Sequence, residues 1–303
     1  MRTVRTVAEL RAQLTAPRRE GRRIGLVPTM GAFHEGHLSL IRRARDDCDV
    51  VVVSLFVNPR QFNDAGDLAA YPRDERADAE RAEQLGVDLL FAPAAEQVYP
   101  PGFATTVAVA GITDRLEGEV RGRRHFDGVA TVVAKLLNMV APDAAYFGQK
   151  DAQQTVVIRR LVRDLDLPVQ IEICPTVRAA DGLALSSRNA LLSPGDRGRA
   201  TGLHRSLRAV HDAVAAGQSD PAAAIAVGLA ELKLSGITPE YLEIVDPDTM
   251  VPVARIEGDV LALVAARVGS TRLIDNVPVR AGQVAGAVAN PTVATPFDGA
   301  PTR

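Results

Sequence analysis

A near-continuous apolar run starts after Asp49, at Val50-Val51-Val52-Val53-Ser54-Leu55-Phe56-Val57, and its β-branched content predicts a strand buried on both faces. A shorter run, Ile24-Gly25-Leu26-Val27, predicts an earlier strand that Pro28 is expected to end. Between them, Leu38, Leu40, Ile41 and Ala44 recur at helical spacing over residues 36–47, with the arginines outward. A β-α-β unit of this kind implies parallel strands and a right-handed crossover. The alternation continues with a charged, Ala-rich helix over 73–86 that Gly86 caps, a strand at 87–91, and a helix over 127–140 that Pro142 stops. A strand at 144–147, a helix at 150–164 and a strand at 169–173 follow. Five or so strands alternating with helices predict a doubly wound, Rossmann-like α/β domain.

Near residue 180 the pattern changes. Residues 195–216 and 220–234 predict two Ala-rich helices, and 240–245, 260–268 and 271–275 predict short strands separated by turns. Strands this close in sequence imply a smaller α+β domain with antiparallel pairing. The expected division is 1–178, 179–284 and a tail at 285–303 whose Ala, Val, Pro, Thr and Gly, almost without charge, predict disorder.

Charge narrows the function classes. Thirty-five basic residues face 37 acidic ones in 303, so nothing global favours nucleic acid or an anionic membrane. The first residues carry no apolar signal core, and no run approaches the ~18 residues of a membrane span. Cys48 and Cys174 are the only cysteines and cannot make a disulfide framework or a four-thiolate zinc site. These features predict a soluble, reduced, cytoplasmic protein. Lysine is rare, at 135, 150 and 233 only, which singles out each one as a candidate point charge for phosphate.

Four segments carry candidate chemistry. Pro28-Thr29-Met30-Gly31-Ala32-Phe33-His34-Glu35-Gly36-His37 joins the first strand to the first helix. Ligands bind at the carboxyl ends of strands in open α/β sheets, and a helix N-terminus favours phosphate. His34 and His37 share a helical face and can donate to charge developing on a leaving pyrophosphate. Taken alone, the pair is equally compatible with plain surface residues at a solvent-facing helix start. The segment lacks the lysine of a Walker A loop and is not Gly-x-Gly-x-x-Gly. Gly148-Gln149-Lys150-Asp151 sits where another strand meets a helix, which puts Lys150 on the same sheet edge. Gln154, four residues on, is expected on its helical face. Asp181 to Asn189, with Ser186, Ser187 and Arg188, is a candidate phosphate clamp near the domain boundary. Asn58-Pro59-Arg60-Gln61-Phe62 supplies amides that orient a polar substrate without titrating.

Together, Pro-Thr-Met-Gly-x-x-His-x-Gly-His, Asn-Pro-x-Gln-Phe, Phe-Gly-x-Lys-Asp-x-Gln-Gln and Ser-Ser-Arg-Asn resemble the pantothenate synthetase family of nucleotidyltransferases over roughly residues 20–280. The resemblance implies an AMP-forming ligase that condenses pantoate with β-alanine through pantoyl adenylate, using ATP and Mg²⁺, as a homodimer. It implies that His37 acts as proton donor, assisted by His34, Lys150 and Arg188. Met30, Gly31, Ala32, Phe33, His34, Glu35, Gly36, His37, Gly148, Gln149, Lys150, Asp151, Val177, Leu185, Ser186, Ser187 and Arg188 would then bind ATP. Gln61 and Gln154 would bind pantoate, and Gln61 also β-alanine. Two departures stand out: Gln149 replaces a frequent Glu, and Gly122-Arg123-Arg124 replaces Arg-Pro-x before His125-Phe126, which leaves the role of the arginines at 121–124 unassigned. The metal ligands are also open: Asp74, Glu75 and Asp78 are acidic candidates on what reads as a solvated helix face. Another small-molecule nucleotidyltransferase, or a catalytically silent nucleotide-binding regulator, are the competing readings.

Overall fold

The computed structural model describes residues 1–63 and 65–281; the expected tail at 285–303 lies outside them. In chain order the first part runs β1 (Arg2–Val4), α1 (Val7–Arg19), β2 (Ile24–Thr29), α2 (Glu35–Asp47), β3 (Val50–Leu55), α3 (Ala65–Ala70), α4 (Glu75–Gln84), β4 (Leu89–Phe91), α5 (Ala95–Val98), α6 (Glu117–Arg121), α7 (Arg123–Val140), β5 (Ala144–Gly148), α8 (Ala152–Asp164) and β6 (Gln170–Cys174). Its six strands form one parallel sheet in the order β1-β4-β3-β2-β5-β6. The second part runs α9 (Pro194–Ala215), α10 (Pro221–Leu234), β7 (Pro239–Val245), β8 (Asp259–Val268) and β9 (Thr271–Arg280), whose strands form an antiparallel sheet in chain order. The expected class, a Rossmann-like parallel sheet followed by a smaller α+β unit, is what the chain adopts.

The central strands are apolar because both faces are covered. Val50 and Val52 belong to a core under α1 and α7, while Val51 and Val53 face the opposite layer with Leu40, Ile41 and Ala44 of α2. Cys48 and Cys174 are both buried in that second layer, and the Cys48 thiol lies 3.3 Å from the Tyr146 hydroxyl.

Two expectations change, and one segment gains elements that no pattern predicted. Pro28 does not end β2, which continues to Thr29 alongside β3. The reason is geometric: β2 pairs with β5 only at Gly25–Ala144 and Leu26–Ala145, so at Pro28 there is no second neighbour for the missing N–H to serve. Likewise β9 runs past Asp275 through Pro278 to Arg280, because it is an edge strand. The N-terminal polar stretch holds a strand and a helix. α1 begins with a Thr6–Glu9 capping box and buries only Leu10 and Leu14, a stripe too narrow to read as apolar periodicity.

The topology places the chemistry. From β2 the chain builds one way through β3, while β5 lies on the other side, so the direction of winding reverses between β2 and β5. Their loss of pairing after Leu26 and Ala145 opens a crevice at the carboxyl ends.

Candidate active site

The segment from Met30 to His37 leaves β2 at this crevice. Gly31 (φ +90°) and Ala32 (φ +54°) are left-handed, and a Cβ on Gly31 would lie 2.8 Å from Leu55 and 2.9 Å from Asp78. This backbone turns two successive N–H groups toward one carboxylate. Asp78 of α4 accepts from Ala32 N–H at 2.8 Å and Phe33 N–H at 2.7 Å, and Arg81, one turn on, donates to the Phe33 carbonyl. The solvated-face reading of α4 is therefore corrected at Asp78, which is buried. Asp74 caps α4 and Glu75 pairs with Arg5, so these acids have structural partners too.

His34 is the N-cap of α2, a position usually held by Ser, Thr, Asp or Asn. Its Nδ1 accepts from Gly36 N–H at 3.1 Å, and His37 Nδ1 accepts from His34 N–H at 3.3 Å. A Cβ at Gly36 would lie 2.8 Å from the His34 ring, so glycine is needed for this cap. The rings stack at 4.2 Å, and Phe33 packs 5.5 Å from His37. An accepting Nδ1 is unprotonated, so each neutral ring carries its proton on Nε2. Burial pushes the His37 imidazole down to about 3, with His34 adding to the effect; burial and then the Lys150 charge lower His34. Both rings are thus neutral Nε2–H donors at pH 7, and the helix start is half-buried rather than solvent-facing. Glu35 turns away to pair with Arg42.

The second rim of the crevice follows β5. Gln149, Lys150 and Asp151 form a 3₁₀ turn before α8, with Lys150 Nζ 3.7 Å from Asp151. Because Lys150 precedes the helix, the four-residue spacing does not put it on the same helical face as Gln154, which is half-buried on α8. Its neighbour Gln153 is structural: it is buried and bonds Glu117 N–H and the carbonyls of Ile112 and Arg115.

From the other unit, Asn276 of β9 donates to the carbonyls of Gln149 and Lys150 and accepts from the Gln149 side chain. Lys150, Leu183, Ser186, Arg188, Arg272 and Asp275 line one concavity, so the two sheets share a wall here. Arg188 lies in a 3₁₀ turn that Ser186 caps, and burial and Arg121 lower its guanidinium below its ordinary value. Ser187 meets the Tyr71 hydroxyl, while the Val177 carbonyl accepts Leu185 N–H at 3.0 Å.

Gln61 is held from three sides. Its Nε2–H reaches Met30 Sδ at 3.0 Å, its Oε1 accepts from buried Asn58, and its backbone carbonyl accepts from His125 Nδ1–H at 2.7 Å. His125, lowered to about 4 by burial and Arg121, is neutral and leaves its Nε2 as an acceptor. Arg121 has a defined place: with Arg272 it pairs with buried Glu117. Burial would raise that carboxyl, but the two arginines pull it down to about 2. Sequence reasoning missed Asn276 and Tyr71, and it named Asp78 only as an open metal candidate on a solvated face. The structure brings Met30, His34, His37, Gln61, Lys150 and Arg188 to one crevice without a group of three or more His, Cys, Asp or Glu placed to hold a metal among the described residues.

A family model described as pantoate-beta-alanine ligase matches residues 2–278. The chain is 54% identical over 276 residues to a pantothenate synthetase of Cereibacter sphaeroides, covering 91% of this chain and 99% of the relative. It is 51% identical over 281 residues to one from Pseudomonas aeruginosa, covering 92% and 99%. The crystal structure of pantothenate synthetase from Thermus thermophilus superposes with a TM-score of 0.86 at 49% identity, covering 91% of this chain and 99% of that one. That of a pantoate-beta-alanine ligase from Francisella tularensis, complexed with beta-gamma ATP and beta-alanine, gives 0.76 at 34% identity, covering 91% and 97%.

Proposed function

The chain belongs to the pantoate-beta-alanine ligase family, and from that premise we propose that it condenses pantoate with β-alanine through pantoyl adenylate. A pantoate carboxylate oxygen attacks the α-phosphorus of ATP, and pyrophosphate leaves. The β-alanine amine, having lost a proton, then attacks the acyl carbon, its nitrogen sheds a second proton to solvent, and AMP leaves with the bridging oxygen. A carboxylate is a poor acyl donor; adenylation supplies the leaving group, so the protein needs no nucleophile of its own and acts by orientation and charge.

The observation that carries this reading is the pair of Nδ1 acceptor bonds at the start of α2. They fix both imidazoles as Nε2–H donors at a helix N-terminus, beside the Lys150 turn, where a polyphosphate gains negative charge as pyrophosphate departs. Burial keeps His37 neutral at pH 7, which suits its Nε2–H to donating toward that charge, in keeping with the proton-donor role that the resemblance implies. Lys150 and Arg188 neutralise the phosphates. Gln61, pinned by Met30, Asn58 and His125, presents an oriented amide to pantoate and β-alanine, and Gln154 adds a second toward pantoate.

Magnesium would accompany ATP. Asp74, Glu75 and Asp78 are committed elsewhere, and exposed Asp151 is the acid beside Lys150. A magnesium ion on a polyphosphate needs only one or two protein oxygens, and there it would screen phosphate charge. On this reading residues 1–178 bind ATP and pantoate and residues 179–284 close over them. We extend the homodimer and the cytoplasmic location of the resemblance to this chain.

The test is isotopic. With pantoate labelled by ¹⁸O in its carboxylate, ATP and β-alanine, one ¹⁸O should appear in AMP and none in pyrophosphate. Label-free AMP, or ADP as product, would overturn the adenylate.

A further inference from the structure

The Lys150 turn is held by a side chain from the other sheet. Asn276 is 2% exposed and uses its whole amide on two residues. Its Nδ2 donates to the Gln149 carbonyl at 3.0 Å and to the Lys150 carbonyl at 2.9 Å, while its Oδ1 accepts from Gln149 Nε2 at 3.1 Å. The amide is itself anchored. Asn276 N–H donates to Asp275 Oδ1 at 2.8 Å, and Arg178 grips the Asp275 carboxylate with two bonds of 2.6 and 2.9 Å. Arg178 also reaches the Asn276 carbonyl at 3.2 Å and the Gly182 carbonyl at 3.2 Å, just before the Ser186–Arg188 segment. Arg178 and Asp275 are buried at 8% and 3% exposure, so their charges are paired away from solvent.

The turn needs such a hold. Asp151 leaves helical backbone (φ −96°, ψ 57°), so residues 149–151 are not an N-terminal extension of α8 whose dihedrals helix propagation would set. Two successive carbonyls gripped by one amide fix the peptide planes on either side of the Lys150 Cα, and with them the direction in which its side chain leaves. We infer that Asn276 is a positioning residue for Lys150, and that through Arg178 and Asp275 the same element ties the Lys150 turn to the Ser186–Arg188 segment. This deepens the proposed function and rests on it, since it takes Lys150 as the group that meets the triphosphate.

Pantoate-dependent ATP–pyrophosphate exchange isolates the first half-reaction, and synthetic pantoyl adenylate with β-alanine isolates the second. Misplacing a positioned group by about 1 Å can cost about 10²-fold. Asn276→Ala should therefore lose about 10–100-fold in kcat/KM for ATP in exchange, while the second half-reaction stays within about threefold. In a Lys150→Ala background the same substitution should cost under about threefold, because the group it positions is gone. Asn276→Asp keeps the volume and the acceptor but loses both donors, and should resemble Asn276→Ala.

Four outcomes would overturn the inference: exchange unchanged in Asn276→Ala, equal loss in both half-reactions, a full effect persisting without Lys150, or failure of both Asn276 variants to fold, which would make the residue structural. The failure of the underlying reading looks different: there Lys150→Ala itself leaves exchange intact.

Discussion

The two rims of the crevice solve one problem with opposite chemistry. The histidine segment must turn backbone N–H groups inward, and it is held by an anion: Asp78 accepts two of them, from α4 on the same sheet. The lysine turn must have its carbonyls held, and a neutral amide donates to two of them, from β9 of the other sheet. A carboxylate offers two acceptor oxygens and no donor, whereas an amide offers one oxygen and one NH₂; the histidine rim uses both Asp78 oxygens and the lysine rim uses an NH₂, so neither fastener could serve the other rim. The difference also assigns dependence. The histidine rim is complete within the parallel sheet, whereas the lysine rim is complete only when the second unit is in place.

Removing the donor that the histidine rim presents should have the largest effect. His37→Ala is expected to lose about 10²–10³ in adenylation, the usual cost of one preorganised donor at a developing charge. Stopped-flow or exchange kinetics on protein of unchanged circular dichroism would show it, and activity within threefold of the parent would remove the residue from the mechanism. His34→Ala should add a stability loss of about 1 kcal/mol, because it removes a helix cap as well.

Next comes the acceptor. Asp78→Ala leaves two N–H groups facing no partner, at about 1–3 kcal/mol each, so urea unfolding should show a loss of about 2–6 kcal/mol. Asp78→Asn should fare little better, since its NH₂ must face one of the donors. Full stability in Asp78→Asn would break the contrast between an anionic and an amide fastener.

Gln154→Leu should be milder. It is expected to weaken pantoate use about tenfold or more while leaving ATP affinity nearly unchanged, because an unpaired polar group on the substrate costs about 1–3 kcal/mol. Equal loss for both substrates, or none, would mean that the side chain does not meet pantoate.

Acid should distinguish the rims most gently. His37 has a folded pKa of about 3 against an ordinary 6.5, so the unfolded chain takes up the proton first. Stability is therefore full above about pH 6.5 and declines as pH falls toward 3, with His125, lowered to about 4, acting in the same direction. His37→Asn keeps an acceptor near the Nδ1 position and should lose less stability between pH 7 and pH 5 than the parent. Asn276→Ser should show the parent's pH slope. Denaturant midpoints at the two pH values decide the matter.

Much of this was legible in the sequence. The valine run and the strands expected at 24–27 and 144–147 pointed to the sheet edge, and the positions of His34, His37 and Lys150 just after them put the chemistry on it. What sequence pattern could not carry were the fasteners. Asp78 sits in Glu75-Arg76-Ala77-Asp78-Ala79-Glu80-Arg81, which has no apolar stripe, and its burial comes from a loop 45 residues upstream. Asn276 lies in Asp275-Asn276-Val277-Pro278, where polar and proline positions imitate a strand end. Helical spacing from Lys150 does not orient Gln154, because the helix begins after Lys150. For Asp78 and Asn276 a tertiary contact overrode the local pattern.

The two cysteines have a practical consequence. Both are buried, and both lie in the parallel-sheet unit, Cys48 after α2 and Cys174 at the end of β6; the chain beyond Cys174 contains no thiol. Reaction with a thiol reagent therefore clocks the opening of one unit alone. Burial also raises the Cys174 thiol to about 11, so reagent that reaches it in the closed state meets little thiolate. A labelling time course, set beside circular dichroism of the whole chain, would time the loosening of the parallel sheet separately from that of its smaller companion without introducing a foreign probe.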